Sequence, residues 1–334
     1  MNDIKRQKKR WIVVALLAIG LGGGGYMLTQ SLPIFPEWIA EQIELPVDIM
    51  AYLADQEARF DDLVANTEKT IVWADEVGVQ TPLAVVYLHG FSASRQETAP
   101  LSEQVAQALG ANLFYTRLTG HGQPPAALAA AQVTDWMDDA LEALAIGQRL
   151  GERVVLIGNS TGATIATWLA AQNLDPAPWA LVLLSPHYGL RDVRSEWVTW
   201  PGGLWLAQTL IGPEYHSERL NERHARYWTN SYPVAALRPM IQIVQLTRQA
   251  PLEEIVQPIL IIYSPEDQVV DPARILWAFE RFGASHKLLR AVPTLDHGSR
   301  HILAGDILAP DDTEAIAQMI VGFVNEMTQF TAQP

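Results

Sequence analysis

Val154-Val155-Leu156-Ile157-Gly158-Asn159-Ser160-Thr161-Gly162-Ala163-Thr164-Ile165-Ala166 decides how this chain is read. Four β-favouring apolar residues run into Gly-x-Ser-x-Gly, and a small-residue helical pattern follows with no linker. Strand, sharp turn and helix in that order are the context in which such a serine becomes a nucleophile. The turn demands a strained backbone at Ser160, and Gly158 and Gly162 carry no Cβ to collide with it. A five-residue pattern of this kind also arises by chance, so its meaning rests on the rest of the chain.

From Thr70 onward the pattern alternates strands and helices. Ile71–Ala74, Leu83–Leu88, Asn112–Leu118, Trp179–Leu184, Ile259–Tyr263 and Lys287–Val292 read as strands beside the central one. Glu97–Leu109, Val133–Leu150, the stretch after Ser160 to about Gln172, Ala273–Phe282 and Thr313 to about Met327 read as helices. Repeated β-α units predict a mostly parallel sheet covered on both faces. Residues 187–255 interrupt the alternation. They hold Trp197, Trp200, Trp205 and Trp228 with Tyr215, Tyr227 and Tyr232 and no clear strand. An insertion of this length predicts a helical cap over the strand ends.

The 334 residues carry a net charge of −14, and the first ten residues set five cations against Asp3, a local +4 that leaves −18 for the remainder. An acidic body argues against nucleic acid as a partner, since phosphate binding needs a basic face. There is no cysteine, which excludes disulfides, thiol nucleophiles and thiolate metal sites. No histidine or carboxylate cluster has metal-ligand spacing, so neither metal nor cofactor is expected.

Residues 11–28 are uncharged and directly follow the basic decapeptide. That length just spans a bilayer. The run Gly22–Gly25 weakens the segment as a helix, so a cleaved signal peptide competes with a retained anchor. Leu28-Thr29-Gln30 is a poor cleavage site, which favours the anchor. The positive flank then stays in the cytoplasm and the remainder lies outside it, in a bacterial periplasm or at the cell exterior. The expected organisation is therefore residues 1–30 as basic segment and membrane anchor, 31–69 as juxtamembrane linker and helix, and 70–334 as the main domain with its cap. Within the linker a helix is predicted from Pro46 to about Leu63, with Ile49, Met50, Leu53 and Phe60 on one side.

A serine hydroxyl needs a histidine base, itself oriented by a carboxylate. Asp267 follows the apolar strand Ile259–Tyr263 at a turn and is the expected acid. Glu266 and Asp271 are its rivals, and Asp271, before Pro272, has the pattern of a helix cap. His301, shortly before the last helix, is favoured as the base over His297, whose flanking Gly298 suggests a turn. The oxyanion needs two backbone N–H donors. Thr161 supplies one at a helix start, and the turn His89-Gly90-Phe91-Ser92 supplies the other through Phe91. His89 and His121 sit beside glycines and read as loop braces, while His187 follows a strand end and could line the pocket.

Leu88-His89-Gly90-Phe91, Gly120-His121-Gly122, Gly158-Asn159-Ser160-Thr161-Gly162, Asp267-Gln268-Val269-Val270 and Ser299-Arg300-His301 together resemble the α/β-hydrolase superfamily. Within it the resemblance is to the serine esterase and lipase branch, which includes monoacylglycerol lipases and small bacterial carboxylesterases. The resemblance implies an α/β-hydrolase fold with an eight-stranded sheet, a cap between strands six and seven, and the triad Ser160–Asp267–His301. The long run from Val292 to His301 departs from the pattern and keeps His297 in contention. Serine at the elbow disfavours haloalkane and epoxide hydrolysis, since related enzymes of those kinds carry aspartate there. The expected activity is cleavage of small-molecule or lipid carboxylic esters. An acyltransferase or thioesterase would use the same triad, and a non-catalytic membrane-tethered binding module is the reading of another class.

Overall fold

A computed structural model describes residues 38–40, 43–192, 198, 202–293 and 300–331. Among them seven strands form the main sheet: β1 (Thr70–Val72), β2 (Thr81–Leu88), β3 (Asn112–Tyr115), β4 (Gly151–Asn159), β5 (Ala180–Leu184), and, further on, Ile259–Tyr263 and Lys287–Ala291. Two short strands, β6 (Glu214–His216) and β7 (Ser231–Pro233), pair apart from it, so Ile259–Tyr263 is β8 and Lys287–Ala291 is β9. The order is β1-β3-β2-β4-β5-β8-β9, with only β1 antiparallel to its neighbour. The described residues thus hold seven sheet strands where the resemblance implies eight.

The apolar runs that mark the central strands are continuous because both faces are buried. Leu156 of β4 and Val86 of β2 join one core layer, while Val155, Ile157 and Tyr87 join the other. Each such aliphatic side chain, fully buried, is worth about 2 kcal/mol. The first layer is covered by α4 (Val133–Leu150) and α5 (Thr161–Ala170), and the second by α2 (Leu101–Leu109) and α10 (Thr313–Thr331). Here α1 is Ile49–Glu57 and α3 is Pro125–Ala130.

The interval 187–255 contains α6 (Gly203–Ile211), the β6–β7 ribbon, α7 (Glu222–Tyr227) and α8 (Leu237–Gln249). The ribbon was not legible because each of its strands has only three residues. The last helix packs on α5 and buries Met240, Ile241 and Ile243 in the first core layer. That part of the interval belongs to the helical cover of the sheet. Between β8 and β9 lies α9 (Pro272–Arg281).

The linker helix is shorter than its periodicity predicts. Asp48 caps α1 by accepting from Ala51 N–H at 2.9 Å, and Ala58 ends it. Asp61 and Asp62 would oppose the negative end of a longer helix. Ile49 and Leu53 are buried, Met50 is exposed, and Phe60 lies past the helix beneath the Arg117 guanidinium. Glu57 holds Arg117 through two bonds of 3.0 and 2.8 Å. Tyr52 and Gln56 both donate to Glu142, which also pairs with Lys69. The expected anchor, residues 11–28, lies outside the described residues. Among the described ones no helix is long and apolar enough to cross a membrane.

Candidate active site

The strand β4 delivers its chain to a sharp reversal at Ser160, where φ is 52° and ψ −115°. Such a conformation is costly for a residue with a side chain. The surrounding glycines explain how it is tolerated. A Cβ on Gly158 would stand 2.6 Å from Ala163 Cα, and one on Gly162 only 2.0 Å from the Leu88 carbonyl oxygen. Ser160 N–H is tied to Leu184 O at 2.9 Å, which anchors the turn to β5.

Two distant segments converge on that hydroxyl. His301 Nε2 stands 2.9 Å from Ser160 Oγ, and His301 Nδ1 stands 2.7 Å from Asp267 Oδ2. With Nδ1–H donating to the carboxylate, Nε2 presents a lone pair to the serine hydroxyl. Asp267 is fully buried, and its other oxygen accepts from Val269 and Val270 N–H at 2.7 and 3.0 Å. The turn after β8 therefore fixes the carboxylate's direction. Arg191 donates to the Asp267 carbonyl at 2.6 Å. On the other side, Ser185 Oγ donates to the His301 carbonyl at 2.7 Å and so holds the base loop against β5.

The rival acids have other attachments. Glu266 pairs with Arg300, and Asp271 caps α9 by accepting from Ala273 N–H at 3.0 Å. The rival base His297 lies outside the described residues.

Phe91 and Thr161 both border the cavity onto which Ser160 opens. Among the described residues neither backbone N–H meets an acceptor inside the protein. The Thr161 N–H is free because it belongs to the first turn of α5, whose donors lack helical partners. The Phe91 ring packs edge-on against Tyr232 at 5.3 Å and His121 at 6.1 Å.

His89 and His121 brace the turn that carries Phe91. His89 Nδ1–H donates to Gly90 O at 2.9 Å and Nε2 accepts from Leu118 N–H at 3.1 Å. His121 Nε2 accepts from Ser92 N–H at 3.1 Å, and its Nδ1–H faces the Leu118 and Thr119 carbonyls. Burial pushes His89 down to about 4 and His121 well below the usual histidine range, so both rings stay neutral. His187 lines the cavity, and burial lowers it to about 3.

The cavity measures about 1220 Å³, more room than an acetyl group needs. Its walls are largely apolar and include Leu206, Leu210 and Ile211 of α6 with Tyr232 and Met240. Burial of an acyl chain there would be favoured in proportion to the apolar area removed from water. Among the described residues no group of three or more histidines or carboxylates is arranged to hold a metal ion.

Sequence reasoning missed Glu97 and Ser185. Glu97 reads as an ordinary acid at a helix start, yet it is 1% exposed and borders the cavity. The Ser94-x-x-Glu97 spacing points only to a capping box, and nothing local signals burial. Ser185 follows β5 at φ 41°, a conformation that no residue pattern announces.

Residues 80–301 match the family model described as serine aminopeptidase, S33. A thermostable monoacylglycerol lipase from Bacillus sp. (strain H-257) is 26% identical over 208 residues, 62% of this chain and 79% of that one. Among solved structures, one from work on the metagenome-derived lipolytic enzymes LipS and LipT superposes with a TM-score of 0.64 at 22% identity. It covers 79% of this chain and 99% of the other. The monoacylglycerol lipase of Paleococcus ferrophilus gives a TM-score of 0.53 at 16% identity, covering 77% and 99% respectively.

Proposed function

Because the chain belongs to the serine aminopeptidase S33 family, within the α/β-hydrolases and their esterase and lipase branch, we propose that it hydrolyses carboxylic esters of apolar acyl groups through an acyl-enzyme on Ser160. The observation that carries the proposal is the relay Ser160 Oγ–His301–Asp267, at 2.9 and 2.7 Å, opening onto a large apolar cavity. His301 takes the serine proton as Oγ attacks the ester carbonyl, and Asp267 orients the ring and stabilises its cation. The N–H groups of Phe91 and Thr161 receive the oxyanion. Collapse of the tetrahedral intermediate expels the alcohol, which leaves with the proton from His301. Water then attacks the acyl-enzyme by the same steps and frees the acid.

The apolar walls favour a fatty acyl chain, and the monoacylglycerol lipase relatives support a lipid ester as substrate. The test is labelling with a fluorophosphonate probe, followed by a panel of p-nitrophenyl and monoacylglycerol esters of graded chain length. Labelling that Ser160→Ala abolishes, with turnover lost in the same folded variant, is expected. Full activity in Ser160→Ala refutes the proposal, and a product carrying the acyl group on an added alcohol identifies a transferase.

We further propose that residues 11–28 tether the enzyme with its domain outside the cytoplasm, on the strength of their uncharged run behind a basic flank. A carbonate wash of membranes checks this. Release of the full-length protein into the soluble fraction counts against the tether.

A further inference from the structure

Glu97 is a buried acid beside the nucleophile to which ester hydrolysis as described gives no task. It ends the short helical turn Arg95–Glu97, which Ser94 caps. Its Oε1 accepts from Gly90 N–H at 2.6 Å and from the Tyr87 hydroxyl at 2.9 Å. The carbonyl of the same glycine is held from the other side, by His89 Nδ1–H at 2.9 Å and Ala93 N–H at 3.3 Å. That carbonyl and the Phe91 N–H belong to one planar peptide and point in opposite directions. Fixing both ends of Gly90 therefore aims the Phe91 N–H.

The second carboxyl oxygen and the nucleophilic residue lie against the same glycine. A Cβ on Gly90 would lie 3.0 Å from Glu97 Oε2 and 3.3 Å from Ser160 Cβ. The backbone of the same segment supports the base loop. A Cβ on Gly305 would fall 2.6 Å from the Glu97 carbonyl oxygen, and Asp306 N–H donates to Ala99 O at 2.9 Å.

We propose that Glu97 is a positioning residue of the ester-cleaving site: its carboxyl clamps the His89–Ser92 turn so that the Phe91 N–H meets the oxyanion, and its charge supports the cation that forms on His301. The inference rests on the hydrolase reading given above. The Tyr87 hydroxyl from β2 and the Gly90 N–H bond this carboxyl, and the charge of His301 acts on it. Burial pushes the carboxyl up to about 7, and the favourable hydrogen bonds only partly offset that rise. Its charge therefore changes in the pH range where a histidine base also titrates.

Two substitutions separate the clamp from the charge. Glu97→Gln keeps an oxygen that accepts from Gly90 but is neutral, whereas Glu97→Ala removes both functions. Glu97→Ala should lower kcat and the rate of fluorophosphonate labelling at least about tenfold with KM changed less than about twofold, a milder loss than deleting an oxyanion donor. Glu97→Gln should lower kcat less than Glu97→Ala does, because the clamp survives and only the charge is lost, while the acidic limb of its kcat/KM profile moves to lower pH. The sign follows because a neighbouring anion favours the imidazolium, and without it the base deprotonates more readily.

An acidic limb in Glu97→Gln that coincides with the wild type overturns the inference. So does wild-type labelling by Glu97→Ala that circular dichroism finds folded. If Glu97→Ala fails to fold, the limb of Glu97→Gln decides alone. Wild-type protein that neither labels nor hydrolyses any ester brings down the hydrolase reading and this one with it, whereas active wild type with unaltered variants removes Glu97 only.

Discussion

Gly162 lies so close under the carbonyl oxygen of Leu88 that a methyl group in its place would stand 2.0 Å away. The contact is with backbone, at the end of β2, which cannot withdraw without breaking its pairing with β3 and β4. Gly162→Ala should therefore cost at least about 2–3 kcal/mol by overpacking. Urea denaturation measures it. A variant with the wild-type midpoint and slope would show that the elbow has slack.

Asp267→Asn keeps the oxygen that accepts from Val269 and Val270 and should fold normally. It no longer offers a carboxylate to His301 Nδ1–H, so the ring loses its orientation and the support for its cation. A drop in kcat of about 10⁴-fold is expected. Loss below tenfold on a p-nitrophenyl ester would assign the acid's role elsewhere.

The base is tested by His301→Ala and His297→Ala side by side. The first should abolish turnover to about 10⁻⁴ of wild type or less, and the second should leave kcat within a few-fold. The reverse ranking would transfer the role of base to His297.

Much of this architecture could be read from residues alone, and the exceptions have a common cause. Val133–Leu150 was legible end to end, because eighteen residues of amphipathic pattern specify themselves. The elbow was legible because Gly158 and Gly162 are demanded by contacts within a few ångströms of Ser160. The ribbon Glu214–His216 with Ser231–Pro233 was not, since it is set by pairing across a loop. Glu97 escaped notice for the same reason: its partners Tyr87 and Gly90 belong to another element, and burial by remote chain leaves no local signature. The pairing of Glu57 with Arg117, sixty residues apart, is likewise a property of the folded chain.

That pairing gives α1 a measurable hold on the domain. Arg117 is 3% exposed and bonds both oxygens of Glu57. Glu57→Ala leaves a buried guanidinium without its carboxylate and should destabilise by about 3 kcal/mol. Glu57→Ala with Arg117→Met removes the stranded charge and should recover a good part of that loss. A double variant as unstable as the sum of the two single variants would mean that the pair carries no coupling.

His187 should make the protein acid-sensitive in a defined window. Its ring is buried beside the site and lowered to about 3, while in the unfolded chain it protonates near the ordinary histidine value of about 6.5. Below 6.5 the unfolded state therefore binds a proton that the native state refuses, and stability falls as pH drops. The contribution is complete above 6.5 and is lost progressively toward 3. His187→Gln removes the titration, so wild type should lose on the order of 2 kcal/mol relative to that variant between about pH 7.5 and pH 5. Chemical denaturation at both pH values measures the difference, and parallel losses in the two proteins would mean that His187 protonates in the native state as readily as in the unfolded chain.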